Sequence, residues 1–173
     1  YTRSGIPNNE NGIDLSGSGN STRTGYFLRK LLDPNVVPGR DNLDNLTGGT
    51  NVIIFRYAEV LLNYAEAKNE VSGPDQTVYD AVNKVRQRAG QPDIPGGLSQ
   101  GEMRQHIRDE RRIEMAFEGH RFYDLRRWRI AEEIFSDPME GMKITEVNDQ
   151  LQFERISVRP VSFDASKNYL LPV

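Results

Sequence analysis

FRYAEVLLNYAEAKNE, residues 55–70, decides the fold. At about 100° per residue, Arg56, Glu59, Asn63, Glu66 and Glu70 share one narrow polar arc. Tyr57, Ala58, Val60, Leu61, Leu62, Tyr64 and Ala65 fill the rest of the circumference. An apolar arc this wide predicts a helix packed on two sides. Ala58 and Ala65 would let neighbouring helices approach closely. The run Ser72, Gly73, Pro74, Asp75 ends this helix and opens the next one. There, Val78, Ala81, Val82, Val85 and Ala89 have the i, i+3, i+4, i+7 spacing of one buried stripe. Gly90 stands where a helix C′ glycine belongs. The two helices, from about Phe55 and about Thr77, are expected to pack antiparallel as a helical hairpin, with Val78, Val82 and Val85 against Leu61, Tyr64 or Ala65.

Downstream, residues 92–98 form a Pro/Gly linker, and Ser99 with Glu102 has capping-box spacing. A third helix is expected to run to about Phe117, broken by Gly119, and a fourth from about Arg121 to Phe135. Residues 142–147 and 152–158 then alternate as short strands around an Asn148, Asp149 turn. Upstream, residues 1–51 are rich in Gly, Asn, Ser and Asp and form a loop-rich segment. So much loop is too much for an isolated compact domain. The segment is expected to drape on a region outside this chain, and residues 52–173 to form one helical domain. The fold class is mainly α, with a small β-hairpin near the C-terminus.

Residues 101–129 hold eight arginines and six acids. Such a run is commonly a solvated face, but helical geometry argues otherwise here. Met103, Ile107, Ile113 and Phe117 cluster around one direction of the third helix, and Glu110 and Glu114 fall within that cluster. A carboxylate in an apolar face is costly unless it is paired, and the planar fork of arginine is its natural partner. Arginines outnumber lysines 17 to 5, as buried pairing favours. The expectation is a structural network of Glu110, Glu114, Arg108, Arg111 and Arg112 rather than an active site.

Composition narrows the function. The chain of 173 residues has no cysteine, so a thiol nucleophile, a disulfide scaffold and thiolate metal sites in it are excluded. Its net charge of −3 disfavours a nucleic-acid partner. No apolar run approaches the roughly 18 residues of a membrane span. The chain opens on Tyr1 with no signal peptide, which suggests part of a longer precursor.

Specific strings also carry a family resemblance. FRYAEVLLNYAEAKNE (55–70), VNKVRQRAG (82–90) and IRDERRIEMAFEGHRFYDLRRW (107–128) resemble the C-terminal half of the SusD/RagB family, supported by TGYFLRKLLDPN (24–35) and YLLPV (169–173). The resemblance implies a tetratricopeptide-like helical core. It also implies a lipid-anchored outer-membrane protein on the cell surface of Bacteroidota. Such proteins bind glycans, or sometimes peptides, and deliver them to a TonB-dependent SusC-like transporter. The lipidated cysteine of the family is absent here, so the chain looks like a C-terminal fragment trimmed at both ends. The family's ligand site varies between members, and no binding residue carries over.

Other constellations weigh less. His106 lies four residues from both Glu102 and Glu110, but the pattern is not a metalloprotease motif, and a salt-bridged histidine is favoured over a metal ligand. Gly17, Ser18 and Gly19 lack the strand and Gly-Lys-Ser/Thr of a phosphate loop. Asp41, Asp44 and Asn45 could offer oxygens to calcium, without EF-hand spacing. Trp128 shares a helical stripe with Leu125, Ala131 and Phe135 and is expected in a core. Tyr26 and Phe27, beside a loop, are the candidates for meeting a ligand. No cofactor is implied. A non-catalytic glycan-capture protein is the leading reading, with a glycoside hydrolase and a protein-binding helical scaffold as alternatives.

Overall fold

The computed structural model describes residues 30, 53–147, 150–159 and 163–169. Tyr26, Phe27, Asp41, Asp44, Asn45, the Gly17–Ser18–Gly19 loop and the Asn148–Asp149 turn lie outside these residues. The described elements run α1 (Tyr57–Ser72), α2 (Gln76–Arg88), α3 (Gln100–Glu114), α4 (His120–Arg127), α5 (Ala131–Ile134), β1 (Met139–Val147), β2 (Gln150–Arg159) and α6 (Ala165–Asn168). The class is mainly α with a small hairpin, as the sequence predicts. Backbone contacts divide the chain into two compact units, one within residues 51–124 and the other including residues 125–173.

The first unit is three helices around one core. Ala65 of α1, Val78, Ala81 and Val82 of α2, and Met103 and Ile107 of α3 meet Ile94 in a single buried cluster, with Leu61, Tyr79 and Leu98 against it. Val85 is buried as well. The expected pairing of α1 and α2 is thus present. Two side-chain contacts fix its register: Tyr64 Oη lies 2.7 Å from Thr77 Oγ1, and Lys84 Nζ lies 5.2 Å above the Tyr57 ring. Seven residues back along α1 is seven forward along α2, as an antiparallel hairpin requires.

Local chemistry sets the boundaries. Asp75 caps α2 by accepting from the N–H groups of Thr77 (3.0 Å) and Val78 (3.2 Å). At the other end of α2, Gly90 takes φ 70°. The Gln91 N–H then donates to Arg86 O and the Gly90 N–H to Gln87 O, a Schellman closure. Ser99 and Glu102 form the expected capping box of α3. The linker between them is pinned rather than loose: Ile94 N–H donates to Asn83 Oδ1, Leu98 N–H to Tyr79 Oη, and Arg86 Nε to Pro92 O.

Three expectations are corrected. The third helix stops at Glu114, not Phe117, which sits in the following turn at φ 65°. Ile113 and Phe117 are 67% and 70% exposed, not core. Ile113 lies roughly 80° around the helix from Met103 and 120° from Ile107, which is off the buried face. The fourth helix is also not continuous to Phe135. It ends at Arg127, with Arg129 at φ 58°, the Arg129 N–H donating to Arg126 O and the Ile130 N–H to Leu125 O. A Schellman stop built on arginine carries no glycine to announce it. The break interrupts the expected stripe. Leu125 and Ala131 are buried, while Trp128 is only half-buried, with the Arg127 guanidinium 4.6 Å from its ring centre.

In the second unit, β1 and β2 pair antiparallel over almost their full lengths, longer than the sequence suggests, with an irregularity next to Met139. Phe163 stacks on Phe135 and meets Tyr169 edge to face, and the Arg129 guanidinium lies 4.9 Å from the Tyr169 ring centre.

Ile107→Ala should destabilise the protein by about 2–5 kcal/mol. Ile113→Ala, on the exposed side of the same helix, should change stability by about 0.5 kcal/mol or less. Urea unfolding of both variants measures this; equal losses would contradict the assigned faces.

The caps also predict an acid response. Hydrogen bonds from Thr77 hold the Asp75 carboxyl below its ordinary value, and those from Ser99 do the same for Glu102. A carboxyl lowered in the folded state stabilises it above the unfolded pKa, about 4, and that contribution is lost as pH falls through the depressed folded value. The melting temperature should therefore drop below about pH 4, and less steeply in Glu102→Gln. An equally steep drop in that variant would remove the cap from the explanation.

Candidate functional site

The polar arc of α1 is only partly open to water: Asn63 and Glu70 are exposed, while Arg56, Glu59 and Glu66 are half-buried. It faces the charged row of α3 and the turn beyond it. Near the C-terminus of α1, Glu70 receives both Nε (2.6 Å) and one terminal nitrogen (2.7 Å) of Arg104. Seven residues earlier, Asn63 Oδ1 accepts from Arg111 at 2.6 Å. Another seven earlier, Arg56 grips the Glu118 carboxylate at two points, 2.7 and 2.8 Å. The partners advance from 104 to 111 to 118 as α1 recedes from 70 to 63 to 56. This is an antiparallel ladder with one rung per heptad.

Arg56 is the most connected rung. It immediately precedes α1 and also donates to the Glu114 carboxylate, to Glu114 O and to Met115 Sδ. Glu118, then Glu114, holds its guanidinium above the ordinary arginine value against the cost of burial. Glu114 in turn receives Arg88 from the end of α2, at 2.6 and 2.8 Å. Arg86 donates to Glu110 at 2.7 Å. Arg111, besides Asn63, pairs with Asp124 at 2.7 Å, and both side chains are 5% exposed. His120 Nε2 lies 3.7 Å from Glu59 Oε2.

Of the expected network, the structure buries Glu110, Glu114 and Arg111. Arg108 is half-buried and Arg112 is exposed. Arginines from outside that set also bind the two glutamates: Arg86 binds Glu110, and Arg56 and Arg88 bind Glu114. Sequence reasoning missed them, although the α1 polar arc was itself the signal. An arc too narrow to be a solvated face has to meet a complementary charge row. The half-buried Arg121 guanidinium is pushed down by burial and by the like charge of Arg112.

A carboxylate whose oxygens are engaged by guanidinium forks is a structural acceptor, poorly placed to exchange protons with a substrate. The trio of Glu102, His106 and Glu110 does not form a metal site: Glu102 serves its cap and Glu110 serves Arg86. Among the described residues, no group of three His, Cys, Asp or Glu side chains is placed to hold a metal ion.

What the network presents outward is aromatic. Tyr57, Phe117, Phe122 and Tyr123 are each about half exposed or more, and Phe122 and Tyr123 meet edge to face at 5.2 Å. The SusD family model matches residues 1–173, the full chain. The chain belongs to the SusD family. It is 38% identical over 131 residues to SusD-like protein P2 of Formosa agariphila, covering 72% of this chain and 23% of that protein. SusD-like protein P25 of the same organism is 35% identical over 140 residues, covering 74% and 26%. A crystal structure of a SusD-like protein from Bacteroides fragilis NCTC 9343 superposes with a TM-score of 0.61 at 40% identity, over 71% of this chain and 23% of that one. The chain thus spans about a quarter of the length of the relatives it matches.

Arg111→Ala should cost on the order of 3–5 kcal/mol, because it removes the arginine that Asp124 binds in a buried site. Replacing both partners, as Arg111→Met with Asp124→Leu, should recover most of that loss. Arg104→Ala, at an exposed rung, should barely move the melting temperature. Thermal unfolding of the set decides this. A double variant no better than the single one would show that the pair is not the cause.

Proposed function

We propose that the full-length protein containing this chain captures glycans at the cell surface without cleaving them. It would pass them to a TonB-dependent SusC-like transporter while held at the outer membrane by an N-terminal lipid. The observation that carries this reading is the family match across residues 1–173. The described side chains supply a physical complement: the carboxylates at the heart of this part are engaged by arginines, a framework role rather than an acid–base one.

A capture protein has to release its cargo, which favours shallow aromatic stacking with a few polar contacts over an enclosing pocket. Tyr26 and Phe27 remain the candidates of the loop-rich segment, and the exposed rings of Phe122 and Tyr123 offer a second aromatic surface. Shallow stacking should give affinity in the roughly micromolar-to-millimolar range, about 4–8 kcal/mol.

Calorimetry of the full-length protein against a glycan panel, with reducing-sugar assays alongside, tests the proposal. Saturable binding without sugar release is expected, and the 173-residue part alone should bind weakly or not at all. Sugar release would replace capture with hydrolysis. Full-strength binding by the part would place the site within it.

A further inference from the structure

The last turn of α3 and the first turn of α4 bring two arginines together without a partner. Arg112 follows Arg111 near the end of α3, and Arg121 is the second residue of α4. The buried pair of Arg111 and Asp124, at 2.7 Å, pins the two helices to each other. Arg121 stands three residues before Asp124, on the same side of α4, and its guanidinium feels the like charge of Arg112. Among the described residues, neither Arg112 nor Arg121 makes a hydrogen bond or an ion pair. Arg56, Arg86 and Arg111, by contrast, each hold a carboxylate.

The arrangement is costly to the protein on its own. Arg121 is half-buried, where an unpaired charge is penalised. The first turn of a helix is also the positive end of its dipole, which disfavours a cation. Burial, and then Arg112, hold Arg121 below the ordinary arginine value, although Asp124 and Asp109 pull the other way. Both acids are already engaged: Asp124 binds Arg111, and Asp109 accepts from Gln105 Nε2 at 3.1 Å. An anion placed against the two guanidiniums would relieve every one of these penalties.

The same stretch of chain offers rings. Phe117 holds its side chain 70% exposed from a backbone at φ 65°, a region that is strained for any residue but glycine. Phe122 and Tyr123 follow, also exposed. Aromatic faces suit the apolar face of a sugar ring, and guanidinium forks suit a carboxylate or a sulfate. An acidic sugar carries both features.

We propose that Arg112 and Arg121 form an oxyanion subsite for an acidic glycan, taking the carboxylate or sulfate of one sugar unit. The proposal rests on the glycan-capture reading and names the class of glycan within it.

Calorimetry of the full-length protein tests it with three probes: a galacturonate hexamer, a sulfated galactan hexamer and the neutral galactan hexamer. The parent protein should bind at least one acidic probe more tightly than the neutral one, and more weakly as salt rises. The two acidic probes separate carboxylate from sulfate recognition. Arg112→Gln and Arg121→Gln should each lower affinity for the acidic probe at least tenfold. Without ligand, Arg121→Gln should melt at the parent temperature or above it, since it removes an unpaired cation. Acidic-probe affinity unchanged in both variants would overturn the proposal, as would failure of both acidic probes to bind. A markedly lower melting temperature in Arg121→Gln would overturn it too, by assigning the arginine to an acid of the polypeptide itself. Binding of the neutral hexamer alone would reject this subsite and leave capture standing, whereas sugar release from any probe would reject capture.

Discussion

The first unit depends on one constraint: the polar arc of α1 and the charged row of α3 must meet in register. Each heptad of α1 has its partner one heptad further along α3 or the turn beyond it, through Glu70 with Arg104, Asn63 with Arg111 and Arg56 with Glu118. A slip of one residue would rotate every rung by about 100° and leave buried arginines and carboxylates unpaired. Buried ion pairs add little net stability over well-packed apolar residues, yet breaking one is strongly destabilising. In this protein their clearest physical consequence is specificity. The apolar cluster of Ala65, Val78, Val82, Met103 and Ile107 could tolerate small shifts, and the charge ladder could not.

Arg56 shows how the ladder reaches beyond one helix pair. It sits at the entrance of α1 and binds both Glu114, at the end of α3, and Glu118, in the turn that follows. Glu114 also receives Arg88 from the end of α2. Three helix ends are therefore tied at one carboxylate. At the opposite end of the unit, Asn69 and Gln100 exchange side-chain-to-backbone bonds, joining the end of α1 to the start of α3. The core between these two ties is small and apolar, and its geometry is set by the polar contacts at either end.

Much of this was legible in the sequence. The periodicity of Val78, Ala81, Val82 and Val85 gave the buried stripe of α2, Asp75 and Gly90 marked its ends, and Ser99 with Glu102 marked the start of α3. Glu110 and Glu114 were recognisable as buried because the 100° rule places them among apolar neighbours. Their arginines were not recognisable, since local spacing favours partners on the same helix while the actual ones arrive from α2 and from the residue before α1. The stop after Arg127 was hidden for another reason. Left-handed turns are announced by glycine, and here Arg129 adopts one, its guanidinium stacked on Tyr169. The candidates Tyr26 and Phe27 had the weakest signal, since two rings beside a loop form no spacing motif, and they lie outside the described residues.

Polar pairing at heptad intervals gives this unit a register that does not depend on its loops. The claim that this pairing sets the register is tested most directly by a charge swap at Arg56 and Glu118, followed by thermal unfolding. Arg56→Glu alone should lower the melting temperature markedly, by setting a third carboxylate against Glu114 and Glu118. Adding Glu118→Arg should restore a substantial part of the loss. A single variant as stable as the parent, or a double variant no better than the single, would contradict the account.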